Sequence, residues 1–267
     1  ESHLLDLGSR EAIAEAKLEI TTGLKEGGLL VYHGDEPLLT EKLSGSKWRT
    51  ACFGRSHDLT AYPLEIQAAN DHTSCRLNLF EGELMIPVLG NHNVLNAMAA
   101  ILAAKELGVD YEMVKKGLSA LKLSNMRMEM VEGAQGEKII NDAYNASPTA
   151  MRAAIDLIGA LSGFGQKILV LGDMLELGAK EIQFHQMIGQ SIDAGAVDKL
   201  FTFGELAAYI AEEAKAGLGE GNVYAYQDKQ LLIEELKKHV RANDLVLVKA
   251  SRGMKLEEVV TALQKKV

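Results

Sequence analysis

Hydrophobic and polar positions keep two different rhythms along this chain. From 48 to 89 the apolar residues come in short runs separated by turn residues, which predicts strands at 48–54, 61–69, 74–80 and 83–88 with Glu81-Gly82 as a hairpin turn. A buried strand, Gly28-Leu-Leu-Val-Tyr-His33, precedes them and ends in a turn. From about 128 onward, apolar runs alternate with helical spacings. Strands are predicted at 128–131, 138–141, 167–171, 199–203, 222–226 and 245–249, and helices at 148–161, 180–194, 205–216, 229–240 and 255–265. Alternation of this kind predicts an α/β fold whose mostly parallel sheet is covered on both faces. The rhythm changes near Leu123-Ser-Asn-Met-Arg127, so two domains are expected, 1–124 and 125–267.

The first part is organised around the stretch from Pro87 to Gly108. Gly90 lets the backbone turn, Asn91 is a good N-cap, and Gly108 is a natural stop. Val94, Met98, Ile101, Leu102 and Lys105 fall on neighbouring rows of this Ala- and Leu-rich helix. Asn93 and Asn96 are three apart, so their amides point the same way from its first turn. Amides donate and accept at once, and a pair of them can read the edge of a purine. A second helix is expected at 111–121, and an earlier one at 9–24 with Ser9 as its cap. In that earlier helix Ile13, Lys17, Ile20 and Leu24 are spaced as one apolar stripe, which places Lys17 on it. A lysine there either snorkels to water or is desolvated into a reactive neutral amine.

Composition narrows the classes. The chain has 267 residues, 47% of them hydrophobic, and a formal net charge of -9. That is enough chain for two cores, and its acidity argues against a nucleic-acid partner or an anionic membrane surface. Cys52 and Cys75 do not make a disulfide framework and read as reduced thiols in a cytoplasm. No apolar run is long enough to span a bilayer, and no signal peptide is visible. Because the chain begins at Glu1 and opens directly into an amphipathic helix, a fragment or processed product is expected.

Four loops carry candidate chemistry. In Ile139-Ile-Asn-Asp-Ala-Tyr-Asn-Ala-Ser-Pro-Thr149 a strand ends in polar groups, and Ser147 with Pro148 starts a helix. Asp142 and Asn145 thus sit at the carboxyl end of a strand, where open α/β sheets bind ligands; Asp142 suits a ribose hydroxyl pair. Arg127, at the expected junction, can bridge a phosphate. Asp173 and Glu176 end another strand and suit an amine or a cation. Lys249, Ser251 and Arg252 end a third, as a small positive pocket for a carboxylate. Missing are the G-x-x-x-x-G-K-[ST] and G-x-G-x-x-G loops, any zinc spacing of the cysteines and any announced Ser/His/Asp arrangement.

Five segments, taken together and in order, resemble the Mur ligases: Ser2 to Ile20, Pro87 to Ala97, Asn141 to Pro148, Val170 to Gly178 and Val248 to Met254. One departure is Ser147, where the family usually carries asparagine. The resemblance is strongest to the type that adds D-Ala-D-Ala to a UDP-MurNAc-tripeptide. It implies the remainder of a central ATP-binding domain followed by a Rossmann-like C-terminal domain, the two lobes facing each other, with the phosphate loop lying upstream. It further implies ATP and Mg²⁺ as cofactors, a monomeric cytoplasmic enzyme and amide formation through an acyl phosphate. By position, Asn93 and Asn96 would meet adenine, and Asp142 the ribose, with Tyr144 and Asn145 nearby. Arg127 would reach the terminal phosphate. His3 and a carbamylated Lys17 would hold magnesium. The strand ends with Asp173, Glu176, Lys249, Ser251 and Arg252 would receive the dipeptide. A non-catalytic nucleotide-binding module and a sibling ligase adding a single amino acid are the alternatives.

Overall fold

The computed structural model describes residues 7–121 and 125–264, which divide into two units, Leu7–Lys122 and Leu123–Val267. In the first, helix α1 (Arg10–Leu18) starts on Ser9, whose Oγ accepts the Ala12 amide at 3.1 Å, and runs into a 3₁₀ turn at Glu19–Gly23. Ala14 is its buried residue, with Ile13, Leu18 and Thr21 half-buried, whereas Lys17 is exposed and Ile20 is 71% exposed. The inward face is therefore turned from the expected stripe toward Ala14 and Leu18, by part of the about 100° that separates successive residues. Both rows have three- and four-residue steps, so spacing alone could not choose between them.

Strand β1 (Leu29–His33) pairs in parallel with β2 (Arg49–Phe53). Between them lies α2 (Pro37–Leu43), a helix beyond the turn that the sequence predicts after β1; Pro37 opens it and the Glu36 carboxylate caps it. Strands β3 (Pro63–Ala68), β4 (Thr73–Leu77) and β5 (Leu84–Ile86) form a three-stranded antiparallel sheet. Helix α3 (Asn91–Glu106) buries Val94, Met98, Ile101 and Leu102 and packs on β1 and β2. Its cap is Gly90 rather than Asn91. Gly90 has φ +100°, and a Cβ there would run into the His92 ring, so the turn into the helix demands glycine. Helix α4 (Tyr111–Ser119) is capped by Asp110 and lies against β5.

The second unit is a six-stranded sheet. In chain order it comprises β6 (Glu129–Glu132), β7 (Lys138–Asp142), α5 (Pro148–Ala160), β8 (Lys167–Gly172), α6 (Glu181–Gln190) and β9 (Lys199–Phe203). Helix α7 (Ala207–Leu218), β10 (Val223–Tyr226), α8 (Lys229–His239), β11 (Leu245–Lys249) and α9 (Glu257–Gln264) follow. The strand order is β10-β9-β8-β11-β7-β6, parallel throughout except for β6, which runs antiparallel to β7. Only a tight turn joins those two, with the Gly133 amide on the Glu137 carbonyl at 2.9 Å, and a parallel crossover needs far more chain.

All five residues of β11 are buried, as a strand covered on both faces must be. Ile139, Ile168, Val170, Val246 and Val248 pack with Phe201 against Leu232 and Leu236 of α8 and Val259 and Leu263 of α9. The last strand returns between β8 and β7, so the carboxyl ends of three strands stand side by side: Lys249 is in register with Asp142 on one neighbour and Leu171 on the other.

Candidate functional site

That alignment brings together two residues 107 positions apart in sequence. Lys249, 2% exposed, donates from Nζ to Asp142 Oδ2 at 2.5 Å and to the Asn145 carbonyl at 3.0 Å. Asp142 Oδ1 accepts the Met128 amide at 3.1 Å. The expected positive pocket of Lys249, Ser251 and Arg252 is thus not formed. The Lys249 ammonium is spent on Asp142, because a lysine inside a protein needs a countercharge. Ser251 Oγ accepts the Leu175 amide at 2.9 Å, and Arg252 pairs with Glu257 at 2.7 Å.

Arg127 lies in the chain leading into β6, between two residues in left-handed conformation, Met126 (φ +62°) and Met128 (φ +51°). Two carboxylates hold this strained turn: Glu129 accepts the Met126 amide, and Asp142 the Met128 amide. Glu129 is itself tied to the Asn141 amide nitrogen at 3.2 Å. The Arg127 guanidinium lies over the Tyr144 ring, 4.1 Å from its centroid, and the Tyr144 amide bonds to the Met126 carbonyl at 3.2 Å. Tyr144 is 43% exposed, Asn145 is exposed, and Ser147 caps α5 through the Ala150 amide, as its sequence position implied. Arg127, Asp142, Tyr144 and Asn145 are therefore one connected group. Glu129 and Lys249 are its supports, and sequence reasoning missed that role for both. Lys249 is legible only once β11 is known to lie beside β7.

At the end of β8, Asp173 is 7% exposed, and its Oδ1 accepts the Ala207 amide at 2.7 Å, closing the first turn of α7. Burial pushes its carboxyl above the usual range. This is a fold-holding residue, not one held open for an amine. Glu176 nearby is exposed, with φ +64°. His185, fully buried on α6, donates from Nδ1 to the Glu181 carbonyl at 2.7 Å and accepts the Met174 amide on Nε2 at 2.9 Å.

Burial pushes the His185 imidazole below its ordinary value, and protonating Nε2 would forfeit its acceptor role. The unfolded chain then takes up a proton that the folded chain resists. Stability from this residue is present above about pH 6.5, the unfolded value, and is lost as pH falls, by at most about 1.4 kcal/mol per pH unit. Asp173, shifted upward, acts in the opposite sense as pH falls. The denaturation midpoint of the second unit is expected to fall between pH 7 and 5.5, and His185→Gln should flatten that fall. An unchanged slope in the variant would place the proton uptake elsewhere.

In the first unit, Asn93 is 9% exposed, and its Nδ2 donates to the Leu89 carbonyl at 2.7 Å. Its Oδ1 accepts from Asn96 Nδ2 at 3.3 Å. The two amides lie on one side of the helix, as their three-residue spacing predicts, and bond to each other, the inner one anchored to backbone and the outer one exposed. His3 lies outside the described residues. Among the described residues no group of three or more His, Cys, Asp or Glu could hold a metal ion, and Lys17 is exposed, as a lysine that snorkels to water would be. No helix among them is long and apolar enough to cross a membrane.

Two family models match this chain: the Mur ligase middle domain over residues 1–104, and the Mur ligase glutamate ligase domain over residues 126–252. The chain belongs to the Mur ligase family. Among curated Mur ligases it is 49% identical to the UDP-N-acetylmuramoyl-tripeptide–D-alanyl-D-alanine ligase of Bacillus subtilis, over 98% of this chain and 57% of that protein. It is 30% identical to the Escherichia coli enzyme of the same name, over 98% of this chain and 58% of that protein. Among solved structures, MurF from Acinetobacter baumannii matches with a TM-score of 0.85 at 27% identity, over 99% of this chain and 57% of that one. MurF from Thermotoga maritima, in complex with ADP, matches with a TM-score of 0.82 at 26% identity, over 98% of this chain and 59% of that one. The chain thus spans a little over half the length of these Mur ligases.

Proposed function

We propose that this chain forms the nucleotide-facing and dipeptide-receiving part of an ATP-dependent ligase that joins D-Ala-D-Ala to a UDP-MurNAc-tripeptide in peptidoglycan precursor synthesis. The observation that carries this reading is the 49% identity, over 98% of the chain, to a protein whose name states that reaction. The enzyme would work in the cytoplasm as a monomer. In the first unit, Asn93 and Asn96 meet the adenine edge. In the second, Asp142 takes the ribose, with Tyr144 and Asn145 beside it, and Arg127 takes the terminal phosphate. Arg252, once it leaves Glu257, and Glu176, both exposed, would meet the carboxylate and amine of the dipeptide.

In the reaction, the tripeptide carboxylate attacks the γ-phosphate, giving an acyl phosphate and ADP. The dipeptide amine attacks the acyl carbon, and phosphate leaves through a tetrahedral intermediate. Cations such as Arg127 offset charge on the phosphoryl oxygens. Magnesium and a carbamylated Lys17 belong to this reading through the family resemblance. His3, the other expected ligand, lies outside the described residues, so no step is assigned to the metal.

Two measurements test the proposal. The 267-residue chain alone, given ATP, Mg²⁺ and both substrates, is expected to release no measurable ADP, because it contains no G-x-x-x-x-G-K-[ST] loop. Joined to the part of the Bacillus subtilis relative that it does not cover, it should release ADP in proportion to added D-Ala-D-Ala. A response to single amino acids would make it a sibling ligase. ADP binding without turnover in the joined protein would reduce it to a nucleotide-binding module.

A further inference from the structure

We infer that Lys249 is a positioning residue for the nucleotide ribose: its buried ammonium sets the Asp142 carboxylate and the loop 142–145 in place. This rests on the reading of Asp142 as the ribose ligand. Burying a lysine is costly unless its charge is answered, and here one acid and one carbonyl answer it. The Lys249 side chain is 3% exposed and sits on β11 directly opposite Asp142 in register. It therefore reaches the first residue of the loop through Asp142 Oδ2 and the last through the Asn145 carbonyl. One ammonium fixes the distance between the two ends of the loop.

The carboxylate is held at both oxygens, since Oδ1 accepts the Met128 amide. A carboxylate has about four acceptor positions, and two are used this way. The remaining two can receive a pair of vicinal hydroxyls from a carboxylate that no longer rotates, which lowers the ordering cost of binding. The same Asp142–Met128 bond ties this loop to the turn that presents Arg127, so Lys249 acts on two proposed nucleotide ligands without touching either substrate.

The test compares ADP with 2′,3′-dideoxy-ADP, titrated calorimetrically into the chain and its variants. The unaltered chain should prefer ADP by about tenfold, the worth of a hydrogen-bonded hydroxyl pair. Lys249→Met should erase that preference, and Lys249→Arg, which keeps the cation, should recover part of it. The ratio is the readout because general loosening of the unit weakens both ligands alike. A ratio unchanged in Lys249→Met would overturn the positioning role. No preference in the unaltered chain would instead overturn the ribose role of Asp142, and this inference with it. Should Lys249→Met not fold, the Lys249 ammonium resonance of the unaltered chain decides: it should shift with ADP and stay put with the dideoxy nucleotide. A resonance unmoved at saturating ADP would overturn the inference.

Discussion

Replacing Asp244 with alanine is expected to lower the unfolding free energy of the second unit by about 3–5 kcal/mol while leaving nucleotide binding within twofold of its original value. Asp244 is 2% exposed and sits just before β11. Its Oδ1 accepts the Gln166 amide at 2.9 Å, and its Oδ2 accepts the Arg241 amide at 2.8 Å. The Asp244 carbonyl accepts the Lys138 amide at 2.8 Å. One residue thus fastens the entries of β7, β8 and β11, the three strands whose far ends carry Asp142, Asp173 and Lys249. Alanine strands two backbone amides, each costing about 1–3 kcal/mol when buried without a partner. Asp244→Asn keeps one acceptor oxygen and should cost roughly half as much. Because the fastening is at the amino ends of the strands, ligand recognition at their carboxyl ends should survive. Urea unfolding followed by circular dichroism measures the first effect, and ADP titration the second. A loss below about 1 kcal/mol would mean that water replaces the carboxylate freely.

Much of the fold was legible because the residues that decide it are local. Ser9 and Ser147 precede their helices and cap them through Ala12 and Ala150, as hydroxyl residues before apolar periodicity should. The strands at Lys199–Phe203 and Leu245–Lys249 have the predicted bounds, since apolar runs of that length between turn residues leave little freedom. Val94, Met98 and Ile101 face inward because a long Ala- and Leu-rich helix fixes its own phase.

Phase failed in α1, where the helix is short and Ala14-Leu18 competes with Ile13-Lys17; a small alanine won the buried position. The mostly parallel sheet was legible, but not that β6 is its antiparallel strand, since a run of apolar residues does not say which way it pairs. The positive pocket at the end of β11 failed for a reason beyond any local pattern. Lys249 meets Asp142 only because the last strand returns between β8 and β7, and charge carried by a sequence motif can be cancelled by a neighbour the motif does not contain.

The amide pair of α3 should separate scaffold from recognition. Asn93→Asp is nearly isosteric, but it exchanges the N–H that reaches the Leu89 carbonyl for a carboxylate oxygen facing another oxygen. At a residue 9% exposed, the lost bond and the repulsion should together cost the first unit about 2–4 kcal/mol and disorder the first turn of the helix. The carboxylate turning away from the Leu89 carbonyl displaces the Oδ1 that orients Asn96, so ADP affinity should fall more than tenfold along with stability.

Asn96→Ala removes only the exposed partner. It should leave stability within about 0.5 kcal/mol, as exposed substitutions do, yet still cost about tenfold in ADP affinity. It should also erase most of the preference for ADP over GDP, because a site built to hydrogen-bond one ring edge rejects the other through groups left unpaired. Both variants are read by the same two titrations, denaturant for the fold and nucleotide for the site. If Asn96→Ala binds ADP and GDP as the unaltered chain does, the adenine is read elsewhere, and the pair serves only to hold the start of the helix.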